Sequence, residues 1–422
     1  MPKTTPRVLL ICWLAFCAVA AFAEPLERAA PESLGFSEQR LERLSESLQA
    51  YVDDGRIAGS VTLVARRGRI AYLESFGDRD VEARSEMRDD TIFRIASQTK
   101  AIVSTAVMLL QEEGKLLIED PVGKHMPEFE GTTVAVPRDS GGFDVVPAEQ
   151  PITIRHLLTH TSGFDYGTGP AADLWREAGI QGYYFADRDD PIGDTVARMA
   201  KLPASAHPGE RWIYGYSTDI LGALVERVSG TPLDEFLDER LFEPLGMTDT
   251  HFYLPAAKRD RLAAVYGMRE GKLTRAPDGG GAAGQGTYVD GPRKSFSGGA
   301  GLLSTAGDYA RFLQMLLGGG ELDGRRILSP KTVELMTVDH LGDVAFRPGQ
   351  GFGLGFSILE DVGARGTPGS AGEYGWGGAY HSTYWVDPVE ELVVVHLTQL
   401  IPTGDIDDFA KVRALLYQAL VE

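Results

Sequence analysis

Cysteine is all but missing. The 422 residues contain two, Cys12 and Cys17, and both stand within the first 23. Beyond that point there is no disulfide, no thiolate nucleophile and no cysteine-ligated metal. The core alone must hold the fold, and a chain of this length can bury one large enough. Hydrophobic runs that could span a bilayer are missing too. The one apolar leader, Val8 to Val19, follows Lys3 and Arg7 and precedes Ala21-Phe22-Ala23, a small-x-small cleavage pattern before Glu24. This predicts a signal peptide over 1–23 and a periplasmic or secreted chain beginning near Glu24, with no stable membrane insertion. A lipid anchor through Cys17 is the alternative, and the bulky Phe16 counts against it.

Positive charge is scarce. Forty-one Lys and Arg stand against 60 Asp and Glu, a formal charge of −19, and two of those cations belong to the leader. Such a surface repels nucleic acid and anionic lipid, so neither is an expected partner. No His-Glu-x-x-His or other metal spacing occurs, and no Gly-x-Ser-x-Gly. No metal or cofactor is expected, and the Ser-His-Asp hydrolase reading lacks support. Gly279-x-Gly281-x-x-Gly284 has no strand before it and no helix after it, so it does not read as a dinucleotide site.

Helical spacing of apolar residues predicts a helix over 36–54. Residues 59–66 and 69–76 read as a hairpin around Arg67-Gly68. Ser97 opens a run, Ala101 to Leu110, that is apolar on every side and therefore a buried helix. Residues 131–151 read as a long polar loop or loose hairpin, 155–163 as a short helix ended by Gly163, and 218–229 and 233–241 as helices. Strands return at 352–358, 380–386 and 391–398, before a last helix near 406–420. Strands at both ends with helices between predict one sheet built from both termini.

Three stretches carry chemistry. The first is Phe93-Arg94-Ile95-Ala96-Ser97-Gln98-Thr99-Lys100. Positions i and i+3 share a helix face, so Lys100 sits beside the Ser97 hydroxyl at a helix start. Burial disfavours an ammonium, which makes Lys100 a candidate base. Chance alone also produces such spacing, and the bland alternative is a decorated helix start. The second, Pro208-Gly209-Glu210-Arg211-Trp212-Ile213-Tyr214-Gly215-Tyr216, places a tyrosine before a helix, either as a proton relay or as core. In the third, Gly375-Trp376-Gly377-Gly378-Ala379-Tyr380-His381, glycines at a strand start allow close approach of a substrate or another backbone.

In this order, together with ITIRHLLTHTSG and GGAGLLSTAGDYARFLQMLL, the three resemble the serine β-lactamase-like superfamily. The likeness is to the branch with class C β-lactamases, D-alanyl-D-alanine carboxypeptidases and family VIII carboxylesterases. It implies an α+β fold of the β-lactamase/transpeptidase type: an antiparallel sheet flanked by helices, with an inserted mainly helical lobe. The expected division is 24–95 with 300–422 for the sheet lobe and 96–299 for the helical one. The resemblance also implies Ser97 as nucleophile, Lys100 as its partner and Tyr214 as proton relay, with the backbone N–H groups of Ser97 and Ala379 as oxyanion hole. Tyr216, Trp376, Gly377, Gly378 and His381 are carried over as substrate-binding, although His381 also reads as a structural histidine. His160, Ser162 and Tyr166 read as packing near the cleft.

Two departures bear on substrate. Relatives active on penicillins or peptides often have asparagine where Tyr216 stands, and a cation or histidine where Trp376 stands. Both changes favour an uncharged ester with an apolar part, as in family VIII esterases with Trp-Gly-Gly. The expectation is a serine hydrolase, a carboxylesterase first, acting on a small-molecule ester or amide. A β-lactamase or D-alanyl peptidase comes second. A non-catalytic wall-binding protein is the rival of another class.

Overall fold

The computed structural model describes residues 25–279 and 281–422; the expected signal peptide and Cys17 lie outside them. Eight strands form one sheet: β1 (Gly59–Arg66), β2 (Arg69–Asp80), β3 (Ser85–Glu86), β4 (Gln350–Phe352), β5 (Ser357–Leu359), β6 (Tyr374–Gly378), β7 (Ser382–Asp387) and β8 (Leu392–Leu397). Their order is β4-β5-β6-β7-β8-β1-β2-β3, and every neighbouring pair is antiparallel. The two ends of the chain meet in mid-sheet, where Val61 lies opposite Leu397 and Val64 opposite Val394. Every residue of β1 and β8 is buried. Strands apolar on both faces are stable only when both faces are covered.

Helices provide that cover: α1 (Glu38–Asp53), α2 (Thr99–Glu112), α3 (Ser217–Ser229), α4 (Ala306–Leu317) and α5 (Asp408–Tyr417). Leu41, Leu44 and Leu48 of α1 join Val412 and Leu416 of α5 over Val64, Trp385 and Val394. On the other face, Val61, Leu63, Val393 and Val395 share a core with α2, α3 and α4. Helix α2 is buried from Thr99 to Leu110 because sheet and helices enclose it. The chain between α2 and α4 is largely helix and loop, with small hairpins at Thr133–Pro137/Phe143–Pro147 and Tyr266–Arg269/Lys272–Arg275.

The hairpin at Arg67-Gly68 forms as expected, with both residues at positive φ (53° and 75°), the geometry a two-residue connection requires. The expected strand 352–358 is instead the β4–β5 hairpin. Gly355 takes φ 101°, and a Cβ on Gly353 would lie 2.3 Å from the Met336 carbonyl, so the chain reverses there. The expected strand 380–386 begins two residues later, because His381 turns into the left-handed region at φ 61°. The helix expected over 155–163 ends at Leu158; Gly163 lies beyond it. Strand β5 pairs with β6 only at Gly375 and Tyr374, so the outer backbone edge of Trp376–Gly378 faces no strand among the described residues. No helix of the described residues is long and apolar enough to cross a membrane.

Candidate active site

Ser97 sits at a sharp corner. Phe93–Arg94 pairs with Leu303–Ser304, a short turn follows over Ala96–Gln98, and α2 begins at Thr99. Ala96 makes the corner at φ 42°, a region that costs a side-chain-bearing residue on the order of 1 kcal/mol or more. Buried packing against Val265, Ala300 and Tyr380 holds it there. Ser97 is 9% exposed and Lys100, one turn on, is 2% exposed.

The Lys100 Nζ donates to the Gly299 carbonyl at 2.7 Å, to the Tyr166 hydroxyl at 3.0 Å and to Ser97 Oγ at 3.5 Å. Nζ thus meets three acceptors. The sequence pattern leaves Asp219 unmarked. It is fully buried on α3 and accepts from Ser297 Oγ at 2.6 Å and from the Gly299 N–H at 3.1 Å. The Gly299 peptide thus links Lys100 to Asp219. A Cβ on Gly299 would fall 2.3 Å from Asp219 Oδ2, so no side chain fits. Burial pushes the Asp219 carboxyl up, while Lys100 and the two donors pull it back only in part. An acid directly before the apolar stretch Ile220–Val225 was the one signal available in the sequence.

Tyr214 presents its ring to Lys100, with Nζ 4.6 Å from the ring centroid. Its hydroxyl accepts from Trp376 Nε1 at 3.0 Å. The phenol's own proton is left free to point elsewhere. Trp212 stacks on Tyr214 at 5.6 Å and 15°, and Phe352 meets Trp376 edge-on. The tyrosine hydroxyl to which Lys100 donates belongs to Tyr166, whose phenol burial holds well above its ordinary value and therefore protonated. Tyr166, expected to be packing, is part of the lysine's first contacts.

Strand β6 brings the third stretch in. A Cβ on Gly378 would meet the Ile95 carbonyl at 2.4 Å, so glycine alone lets the strand end reach the nucleophile corner. Gly377 precedes it and Ala379 follows directly, beside Ala96 in the same small cluster.

Two expected substrate contacts fail. Tyr216 is wholly buried, stacked on Trp175 at 5.4 Å and packed behind Tyr166, so it supports the site and does not line it. His381 is turned away from Ala379 by its left-handed backbone. Its Nε2 lies 2.7 Å from Asp408 Oδ1, and its ring stacks on Phe409 at 4.0 Å. His396 Nε2 meets the other Asp408 oxygen at 3.3 Å, while its Nδ1 meets Thr62 Oγ1 at 2.7 Å. Burial raises the Asp408 carboxyl, but hydrogen bonds and charge from both histidines outweigh it and hold the group far below the usual carboxylate range. A depressed carboxylate adds stability above its unfolded value near 4, and that stability is lost as pH falls further. Asp408→Asn is therefore expected to cost about 2–3 kcal/mol at pH 7. It should also flatten the decline in stability between about pH 4 and pH 2, which urea unfolding at a series of pH values checks.

His160 and Ser162 pack as expected. His160 is buried against Tyr214 (4.7 Å) and burial keeps it neutral; Ser162 Oγ lies 2.9 Å from Ser217 Oγ. Among the described residues no group of three His, Cys, Asp or Glu could hold a metal ion.

The Beta-lactamase family model matches residues 44–418. The chain is 38% identical to Protein Rv1367c of Mycobacterium tuberculosis over 87% of this chain and 92% of that one. It is 36% identical to Esterase EstB of Burkholderia gladioli over 86% and 91% respectively. Among solved structures it resembles EstCE1, a hydrolase with promiscuous acyltransferase activity, with TM-score 0.77 and 30% identity over 92% of this chain and 99% of that one.

Proposed function

Since this chain belongs to the Beta-lactamase family, we propose that it is a serine carboxylesterase cleaving short-chain or apolar esters through an acyl-enzyme on Ser97. The observation that carries the reading is the Trp376 N–H bonded to the Tyr214 hydroxyl beside Lys100. It puts a neutral aromatic wall where a substrate-binding cation would otherwise stand. The named esterase among the relatives supports the same class. Ser97 Oγ attacks the ester carbonyl and its proton passes to the Lys100–Tyr214 pair. Backbone N–H groups of Ser97 and Ala379 receive the oxyanion. The alcohol leaves with the proton returned by Tyr214, and water then releases the acid. Export from the cytoplasm, on the leader of residues 1–23, is part of the proposal.

The unpaired edge of Trp376–Gly378 favours a second reading, a D-alanyl peptidase, because an extended peptide adds naturally to a free strand edge. Initial rates on 4-nitrophenyl butyrate and on a D-alanyl-D-alanine peptide separate the two. Fast ester turnover with weak release of D-alanine supports the esterase; the reverse overturns it. In Tyr214→Phe, kcat/KM for the ester should fall about 10²–10⁴-fold. A profile equal to wild type from about pH 5 to 9 would move the relay to Tyr166.

A further inference from the structure

We propose that His381 and Asp408 are positioning residues for the oxyanion hole: the bond between them anchors the turn from β6 to β7 and so aims the Ala379 N–H at the reacting carbonyl. The inference rests on the esterase reading, in which Ala379 supplies one of the two oxyanion donors. It gives the buried cluster of His381, Asp408 and His396 a part in the reaction.

The turn is tight. The His381 N–H donates to the Gly378 carbonyl at 3.0 Å, which leaves Ala379 and Tyr380 as its two middle residues. So short a turn moves as one unit, and whatever holds its second half sets the direction of the Ala379 N–H. Tyr380 holds it on the nucleophile side. That ring is fully buried and shares a cluster with Ala96 and Ala379, while the Tyr380 carbonyl accepts from the Leu400 N–H at 3.0 Å. His381 holds it on the other face of the sheet, where Nε2 meets Asp408 at the start of α5 and the ring lies flat on Phe409.

The anchor itself is tied to the middle of the sheet. Asp408 meets His381 with one oxygen and His396 of β8 with the other, and His396 in turn meets Thr62, its cross-strand partner on β1. One line of side chains thus runs from the centre of the sheet through α5 to the turn. The backbone at His381 shows that the line is under load. A φ of 61° suits glycine and costs a residue with a side chain on the order of 1 kcal/mol or more, so it persists only where the surroundings impose it. What imposes it here is the ring held between Asp408 and Phe409. An oxyanion donor needs such support, because a misplacement of about 1 Å can cost about 10²-fold in rate.

Rates on 4-nitrophenyl butyrate in wild type, His381→Phe, Asp408→Ala and Asp408→Asn test the anchor, with circular dichroism to show that each variant is folded. His381→Phe keeps a ring on Phe409 and removes the Nε2 bond; His381→Gly, which suits the positive φ, replaces it should phenylalanine prevent folding. In His381→Phe and Asp408→Ala, kcat should fall about 10–10²-fold with KM within about twofold, because the oxyanion contact is made only in the transition state. Asp408→Asn still offers His381 an oxygen, so it should recover most of the kcat lost in Asp408→Ala although it loses stability. The second readout is the ratio of kcat/KM on this ester to that on 4-nitrophenyl thionobutyrate, in which sulfur, a weak acceptor, replaces the carbonyl oxygen. A well-aimed oxyanion hole favours oxygen, so the ratio should drop about tenfold in His381→Phe. A kcat within about twofold of wild type, or a fall in kcat with the ratio unmoved, overturns the anchor and leaves the esterase reading standing. No ester turnover by wild type overturns both.

Discussion

Ser97→Ala is expected to lower ester turnover by roughly 10⁴–10⁶-fold and to abolish the covalent intermediate. The reasoning is local. The hydroxyl stands at the corner where β6, the start of α2 and Lys100 converge. Alanine already precedes it at Ala96, so the substitution removes one oxygen and leaves the strained backbone in place. Mass spectrometry after rapid quenching of wild type with a slow ester should show the added acyl group, and the variant should show none. Binding of a non-hydrolysed analogue should persist in the variant, because the aromatic wall of Trp212, Phe352 and Trp376 is untouched. Turnover within tenfold of wild type would place the nucleophile elsewhere.

Lys100→Met should have the second-largest effect, and it should register in two ways. Removing one member of the Lys100–Tyr214 pair that takes the Ser97 proton is expected to cost about 10³-fold or more in kcat. Stability should fall as well, by about 2–4 kcal/mol, because Asp219 is then a buried carboxyl without its cation. The sign with pH follows from the raised carboxyl. A group that binds protons more tightly folded than unfolded loses stability as pH rises, so the deficit should be greatest near pH 7 and shrink toward pH 5. Adding Asp219→Asn to Lys100→Met should recover most of the stability and none of the activity. Urea unfolding of the single and double variants beside their ester rates makes the comparison. A double variant as unstable as the single one would mean that Lys100 and Asp219 are not coupled through Gly299.

The sequence alone determined the nature of the chemistry. Ser97 and Lys100 are three residues apart, and helical pitch puts such a pair side by side whatever surrounds it. The sheet was legible for a similar reason. The Val- and Leu-rich runs in β1 and β8 suit strands covered on both faces, and every residue in them is buried. Motif order carried the family.

Tertiary structure decided which groups those residues meet. Asp219 lies more than a hundred residues from Lys100 in sequence, and nothing but the packing of α3 and the Gly298-Gly299 turn against α2 joins them. Tyr166 read as packing because its contact with Lys100 spans 66 positions. For His381 the sequence left two readings, substrate-binding and structural; its positive φ delivers the ring to Asp408, which is the structural one. Local spacing is set by covalent geometry and can be read from one chain. The partners of a buried charge are set by which distant segments pack together, and that is decided only when the whole core closes.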